Sequence, residues 1–334
     1  MEFFTHALAS YAMAKVFFPR VSQIAMAGIV LAGIAADLDT LSAQFSPAAF
    51  LRINHTWGHS LLSAGAIILI SGICCLLIEK RRGVKHTSRS VIFAATACAA
   101  ALHLLLDVCQ SAGAALLWPF AARRFAADWL PLVDIWIIFI LLAGLILPLL
   151  FGLVTDEIGV KSKAIRGRRE AAASLLIVAL YISLRMLTHA EAVSTLLSRS
   201  YSGNLPRAAA ALPVSPSPFR WLGAVETESA WHLLDVAAAP GGAVKIATDH
   251  TYYKPEESAA LTIARNTHTA KQFLQHARFP KATVEKNEFG GTRVTLREVV
   301  ADRYSNTPLV MAVVDLDPMG KVRQEELAWD GSTK

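Results

Sequence analysis

Charge is scarce in this chain of 334 residues: Asp, Glu, Lys and Arg make up 17% of it, against about 25% in a typical soluble domain. That shortage excludes a disordered chain and a coiled coil. With 54% hydrophobic residues and a mean hydropathy of +0.43, it also excludes an ordinary cytosolic enzyme. Glycine, at 19 residues, is too rare for a collagen-like fibre. Cysteine is sparse too: Cys74, Cys75, Cys98 and Cys109 fall in or beside apolar stretches without metal-type spacing, so they read as packing residues. No internal repeat is present. The N-terminus lacks the basic region and cleavage site of a signal peptide and reads as mature sequence.

What the chain has is apolar runs, concentrated in its first half. A helix needs ~20 apolar residues to span hydrocarbon. Ile135–Val154 meets that demand, Leu61–Ile78 and Val91–Leu106 come near the ~17 that suffice where a bilayer thins, and Val21–Ala36 is short but uncharged. Ala171–Leu184 and Phe3–Phe18, which holds His6 and Lys15, are weaker. The expectation is an all-α transmembrane bundle of five to six segments over residues 1–187. Those residues hold 16 Lys and Arg against 10 Asp and Glu, while the remainder is neutral, so the whole net charge of +6 sits beside the membrane. It marks basic loops rather than a nucleic-acid-binding face. Lys80, Arg81, Arg82, Lys85 and Arg89 lie in one loop, and Lys161, Lys163, Arg166, Arg168 and Arg169 in another, two crossings apart. Basic loops stay cytoplasmic, which puts the N-terminus, residues 37–60, residues 109–131 and everything after 188 outside.

The second half differs in kind. Residues 188–218 read as a linker, with Pro206, Pro213, Pro216 and Pro218 in its Ala-rich end. Residues 219–334 read as a smaller α+β extracytoplasmic domain. Its expected strands are Phe219–Thr227, Trp231–Val236, Thr283–Phe289, Thr292–Val300, Leu309–Leu316 and Lys321–Ala328. Gly290-Gly291 and Asp317–Gly320 supply turns, and Pro255 opens a helix running to Arg278.

Ionisable groups in an apolar bundle are costly and ask for a reason. His6, Asp37, Asp39, His55, His59, His103, Asp107 and Asp134 all fall at the outward ends of their segments. His55 and His59 are four apart, as are His103 and Asp107, a spacing that shares a helix face and suits a metal ion. Asp37 and Asp39, two apart, converge at a helix end or serve different ions. Four His and four Asp exceed the need of one tetrahedral ion and suit two ions sharing a carboxylate. A His and carboxylate set fits Zn, with Mn or Fe as alternatives. Each piece also has a plainer reading. His6 alone fits a buried, hydrogen-bonded histidine, and Asp37 and Asp39 fit a helix-end loop. Asp134 fits a helix N-terminal charge favoured by the dipole.

These residues carry a resemblance. Phe4-Thr5-His6-Ala7-Leu8, Gly33-Ile34-Ala35-Ala36-Asp37-Leu38-Asp39, Asn54-His55-Thr56-Trp57-Gly58-His59-Ser60 and His103-Leu104-Leu105-Leu106-Asp107 resemble the YdjM-like membrane-bound, metal-dependent hydrolases of the bacterial inner membrane. The motifs cover residues 1–140. Pro218-Phe219-Arg220-Trp221 and Val225-Glu226-Thr227 are similar to the outer domain of some members. The resemblance implies His6, Asp37, Asp39, His55, His59, His103 and Asp107 as metal ligands. A remoter likeness, to zinc-dependent phospholipases C and single-strand nucleases, implies a phosphoester substrate, although their N-terminal Trp and His-x-x-x-Glu are absent.

On this reading one or two divalent ions activate water, and Asp39 or Asp134 serves as general base. Arg123 and Arg124 meet a phosphate, and the site at headgroup depth selects a membrane lipid or lipid-linked substrate. Trp57, Trp118 and Trp129 read as interfacial anchors. The rival readings are a transporter, for a metal ion or coupled to protons, and a membrane anchor carrying a binding domain. Nothing in the sequence sets an oligomeric state.

Overall fold

The structure, a computed structural model, describes residues 2–84, 87–157, 167–302 and 309–331. Helices fill the first part: α1 (Phe3–Phe17), α2 (Gln23–Ile34), α3 (Pro47–Ile53), α4 (Leu61–Arg82), α5 (Arg89–Val108), α6 (Ile135–Glu157) and α7 (Arg168–Leu197). A 3₁₀ run, Ala35–Gln44, continues α2. Short side chains set the helix starts. Ser22, Ser46 and Ser60 each accept a hydrogen bond from the backbone N–H three residues on, satisfying a donor the helix leaves unpaired.

Among the described residues four helices are long and apolar enough to cross a membrane: Gln23–Gln44, Leu61–Arg82, Arg89–Val108 and Arg168–Leu197. Ile135–Leu150 is a shorter apolar helix. With 15 residues, α1 is about 22 Å long, short of the ~30 Å hydrocarbon core. Small residues let the helices close on one another. A Cβ on Gly28 would fall 2.0 Å from Sγ of Cys75, and one on Gly33 2.0 Å from Oγ of Ser10. Cys75 and Cys109 are buried packing residues, as expected.

Antiparallel alternation sorts the polar residues by end. Lys15, Lys80, Arg81, Arg82, Arg89, Arg168 and Arg169 gather at one end, where Arg168 Nε donates to the carbonyl of Val16 at 2.9 Å. Lys85, Lys161, Lys163 and Arg166, which the topology also used, lie outside the described residues. His6, Asp37, His59, His103 and Asp107 gather at the other end.

At 30 residues, α7 is about 45 Å long, more than hydrocarbon requires. Its last turns leave the bundle at the histidine-bearing end and carry the β-rich part. The first sheet is antiparallel in the order β1 (Ala208–Pro213), β2 (Arg220–Glu226), β3 (Ala230–Ala237), β4 (Lys245–Tyr253). Ala192 and Leu196 of α7 pack against Trp221, Val225, Leu234 and Val236 on one face of it. The second sheet, β5 (Pro280–Lys286), β6 (Thr292–Glu298), β7 (Val310–Leu316) and β8 (Val322–Trp329), has the same meander. It buries Val294, Leu296, Val314 and Leu316 beneath α8 (Ala259–Arg265) and α9 (His268–Leu274).

Three expectations differ from this. Residues 188–218 are largely structured: α7 runs to Leu197, and Ala208–Pro213 is the edge strand β1, where Pro213 needs no ladder donor. The helix expected over 255–278 is two, because Thr267 caps α9 by accepting from the backbone N–H of Ala270. Strand β4 was not foreseen.

Candidate metal centre

The ends of two α-helices, a 3₁₀ run and a turn build the centre. Asp37 and Asp39 sit on the 3₁₀ run, where residues turn by about 120° each. Two apart, they face differently, and His59 lies between them. Asp39 Oδ2 is 2.9 Å from His59 Nδ1, and Asp37 Oδ1 is 3.5 Å from His59 Nε2. His103 and Asp107 share a face of α5, as their spacing predicts, with Nε2 and Oδ2 3.0 Å apart.

His55 and His59 depart from their predicted helix face. They occupy the turn between α3 and α4, with His55 in the left-handed region at φ 53°. Backbone there is strained for a residue with a Cβ and persists only where its surroundings enforce it. One of those surroundings is Asp39 Oδ2, which accepts from the His55 backbone N–H at 2.9 Å. Another is Gly58, where a Cβ would stand 2.4 Å from the carbonyl oxygen of Ala36. The bare glycine lets the histidine turn lie directly on the 3₁₀ run.

Two groups of donor atoms result, each within 4.8 Å: His6, Asp37, His103 and Asp107, and His55, His59 and Asp107. All are buried, and Asp107 belongs to both. Its Oδ1 lies 3.2 Å from Nε2 of His6, and its Oδ2 lies 3.0 Å from Nε2 of His59. The rings are close as well: His6 and His103 have centroids 3.9 Å apart, and His55 and His59 4.3 Å.

The hydrogen bonds behind these atoms decide what they can bind. His103 Nδ1 is 2.7 Å from the carbonyl oxygen of Gly33, which can only accept, so Nδ1 carries the proton. His59 Nδ1 donates to Asp39 in the same way. Each ring therefore turns its Nε2 toward carboxylate oxygens. Both Nε2 atoms, and Oδ2 of Asp37, are buried without a hydrogen-bond partner. Lone pairs this close repel unless a cation lies between them, as a second proton on each ring or as a shared metal ion. Histidines held through Nδ1 by a carbonyl and a carboxylate are the usual outer arrangement of metal ligands. The donor set therefore fits a divalent ion.

The remaining predicted residues fall elsewhere or in supporting positions. Asp39 belongs to neither donor group and acts on His59 and His55 from behind. Asp134 caps α6 instead: Oδ1 accepts from the backbone N–H groups of Trp136 and Ile137 at 3.0 and 3.3 Å, and Oδ2 from the Tyr181 hydroxyl at 2.9 Å. With both oxygens engaged there, it fits the helix N-terminal role rather than that of a general base. Arg124 donates to the carbonyl of Asn54 at 2.9 Å, tying its loop to the histidine turn. Arg123 is exposed over the ring of Phe125. Trp57 and Trp118 stack 5.0 Å apart, whereas Trp129 packs into the bundle core. Sequence reasoning missed Gln110, whose Nε2 donates to Asp107 Oδ1 at 2.7 Å. Its position three residues after Asp107, just past the end of the same helix, was the available signal.

No curated protein and no solved structure matches this chain. The description of the YdjM inner membrane protein family does match it, over residues 1–192. That stretch is more than half of the chain and contains every residue of both donor groups. The chain belongs to the YdjM inner membrane protein family.

Proposed function

We propose that this protein is a membrane-embedded, metal-dependent hydrolase, acting on a phosphoester of lipid type at the outer face of the bacterial inner membrane. The observation that carries the reading is the pair of buried Nε2 atoms, on His59 and His103, fixed by Asp39 and Gly33 so that both turn toward Asp37 and Asp107. Two ions are the natural filling, one for each donor group, with Asp107 common to both. Zn suits the His and carboxylate set, and Mn or Fe are the alternatives. Such ions make water nucleophilic near neutral pH and offset charge on a phosphoryl oxygen.

The chain's own groups divide the remaining work. Asp39 positions His59 through Oδ2, while its Oδ1, buried and without a hydrogen-bond partner, is able to take the proton of the attacking water. Gln110 holds Asp107 in place. Arg124 supplies a fixed positive charge beside the histidine turn for the substrate's phosphate. The separation of ends supports the outward orientation, because basic residues favour the cytoplasm and the centre and the β-rich part lie at the other end. All the ligands crowd one end of the bundle, which fits hydrolysis at the interface better than transport through mid-membrane.

The test is the metal content of the detergent-purified protein, by elemental mass spectrometry, beside a His55→Ala/His59→Ala double variant. Bound Zn, Mn or Fe, reduced in a variant that keeps its helical circular dichroism, supports the reading and justifies a screen of phosphoesters. Equal metal in both, or none in either after reconstitution, overturns it.

A further inference from the structure

The surroundings of the centre divide into a water-facing side that is covered and an apolar side that is not. The cover is α9 and the turn after it. Gln272 Nε2 reaches the carbonyl of Ala48 at 3.5 Å, and Arg278 donates to the carbonyl of Ser111 at 3.1 Å. Arg278 also grips both oxygens of buried Asp128, at 2.7 and 2.8 Å. Phe50 packs on Trp329, with centroids 5.4 Å apart. Ala48 and Phe50 lie on α3, between Asp39 and His55 in the chain, and Ser111 follows Gln110, so the β-rich part is fastened to the helix before the histidine turn and to the loop after Asp107.

Large apolar side chains in and beside those segments stay exposed. Leu38 sits between Asp37 and Asp39, and Trp57 between His55 and His59, each more than half exposed. Leu41 falls three residues after Leu38, on the same face of the 3₁₀ run. Phe45 is 81% exposed and Phe120 90%. Each costs about 1.5–3 kcal/mol in water relative to an apolar environment, and soluble surfaces rarely gather so many. They continue the exposed apolar surface of α4, which begins with Leu61 and Leu62 directly after the histidine turn. The hydrocarbon-facing surface of the bundle therefore does not stop below the ligands but runs past them.

We propose that the substrate reaches the centre sideways from the bilayer, beneath the cover formed by α9, with its hydrocarbon chain lying over a lip of Leu38, Leu41, Phe45, Trp57 and Phe120. The substrate is then a phosphoester carrying a long hydrocarbon chain, not a water-soluble ester. The route stands on the exposed lip and the fastened cover alone; the substrate class rests also on the hydrolase reading.

Two measurements on the full-length protein separate those dependences. In vesicles of phosphatidylcholine brominated at mid-chain, the emission lost in a Trp57→Phe/Trp118→Phe variant is expected to be the part quenched by bromine and spared by aqueous acrylamide. The reverse pattern overturns the route, whatever the enzyme hydrolyses. Phosphate release from long-chain and from short-chain, soluble phosphatidate is then compared in the metal-loaded protein. The long-chain ester is expected to be preferred in kcat/KM, and a Leu38→Ser/Phe45→Ser variant to narrow that preference about tenfold, the worth of roughly one apolar side chain's burial. Equal turnover of both esters overturns the substrate class, and release from neither overturns the hydrolase reading while the quenching result still decides the route.

Discussion

Replacing Asp107 with Asn tests the centre most directly, because that one carboxylate belongs to both donor groups. The change keeps the shape and one oxygen donor and removes a negative charge. The Asp107 oxygens lie 3.0 Å from Nε2 of His59 and of His103, and 3.2 Å from Nε2 of His6. An ion bound by any of these nitrogens therefore sits within a few ångströms of the lost charge. Unit charges 4 Å apart interact by about 4 kcal/mol at an effective dielectric of ~20. At about 1.4 kcal/mol per tenfold, that approaches a thousandfold in affinity for each ion, before the ion's double charge is counted. Single-group ligands give the contrast: His6→Ala and His55→Ala each weaken one ion and spare the other. Elemental mass spectrometry after dialysis against buffered metal reads the pattern, with circular dichroism to confirm folding. Asp107→Asn retaining one ion while His6→Ala loses both would refute the shared-carboxylate argument.

Other expectations follow from the supporting contacts. Asp39→Asn leaves every donor in place but loosens His59, so metal affinity is expected to fall by roughly 10–100-fold with the saturated stoichiometry unchanged, as read by competition with a chelating dye. Arg278→Ala strands the buried carboxylate of Asp128; at about 1–2 kcal/mol, after allowing for the partial exposure of Arg278, it is expected to raise hydrogen exchange in α9 more than in α5. Burial, with the Arg124 charge nearby, holds the His276 imidazole below its ordinary value of 6.5. The unfolded chain then takes up a proton that the folded one resists, so the packing of α9 is at full strength above about pH 6.5 and weakens as pH falls through it. Hydrogen exchange at pH 5.5 and 7.5 is expected to show this in the wild type and to lose part of it in His276→Gln.

Much of this molecule is legible in its sequence, and the physical reasons are specific. The helical half is legible because apolar runs of spanning length have few other uses. The candidate site residues are legible because a histidine or aspartate at the end of such a run is expensive to bury without a partner. Spacing was a surer guide on α5, where His103 and Asp107 do share a face, than at His55 and His59, which meet through a strained turn instead. The family resemblance implied Asp39 as a ligand beside Asp37; only the 3₁₀ geometry shows that residues two apart there meet opposite sides of one histidine. Strand β1 was illegible for a different reason. Ala208–Pro213 has no β-branched residue and gains its structure from pairing with β2, a contact that composition does not encode.

The hydrogen bonds explain why so polar a cluster can exist in so apolar a bundle. The Gly33 carbonyl accepts from Nδ1 of His103, Asp39 accepts from Nδ1 of His59, and Gln110 donates to Asp107. Each of these bonds removes one buried polar atom from the list that would otherwise oppose folding. What they leave on His59, His103 and Asp37 is two buried ring nitrogens and a carboxylate oxygen without a hydrogen-bond partner. The outer bonds cannot be rearranged to satisfy these atoms, because the acceptor of His103 is a backbone carbonyl on the adjoining helix. These atoms could therefore hold a metal ion, and Asp107, shared by both groups, would set where a second one stands.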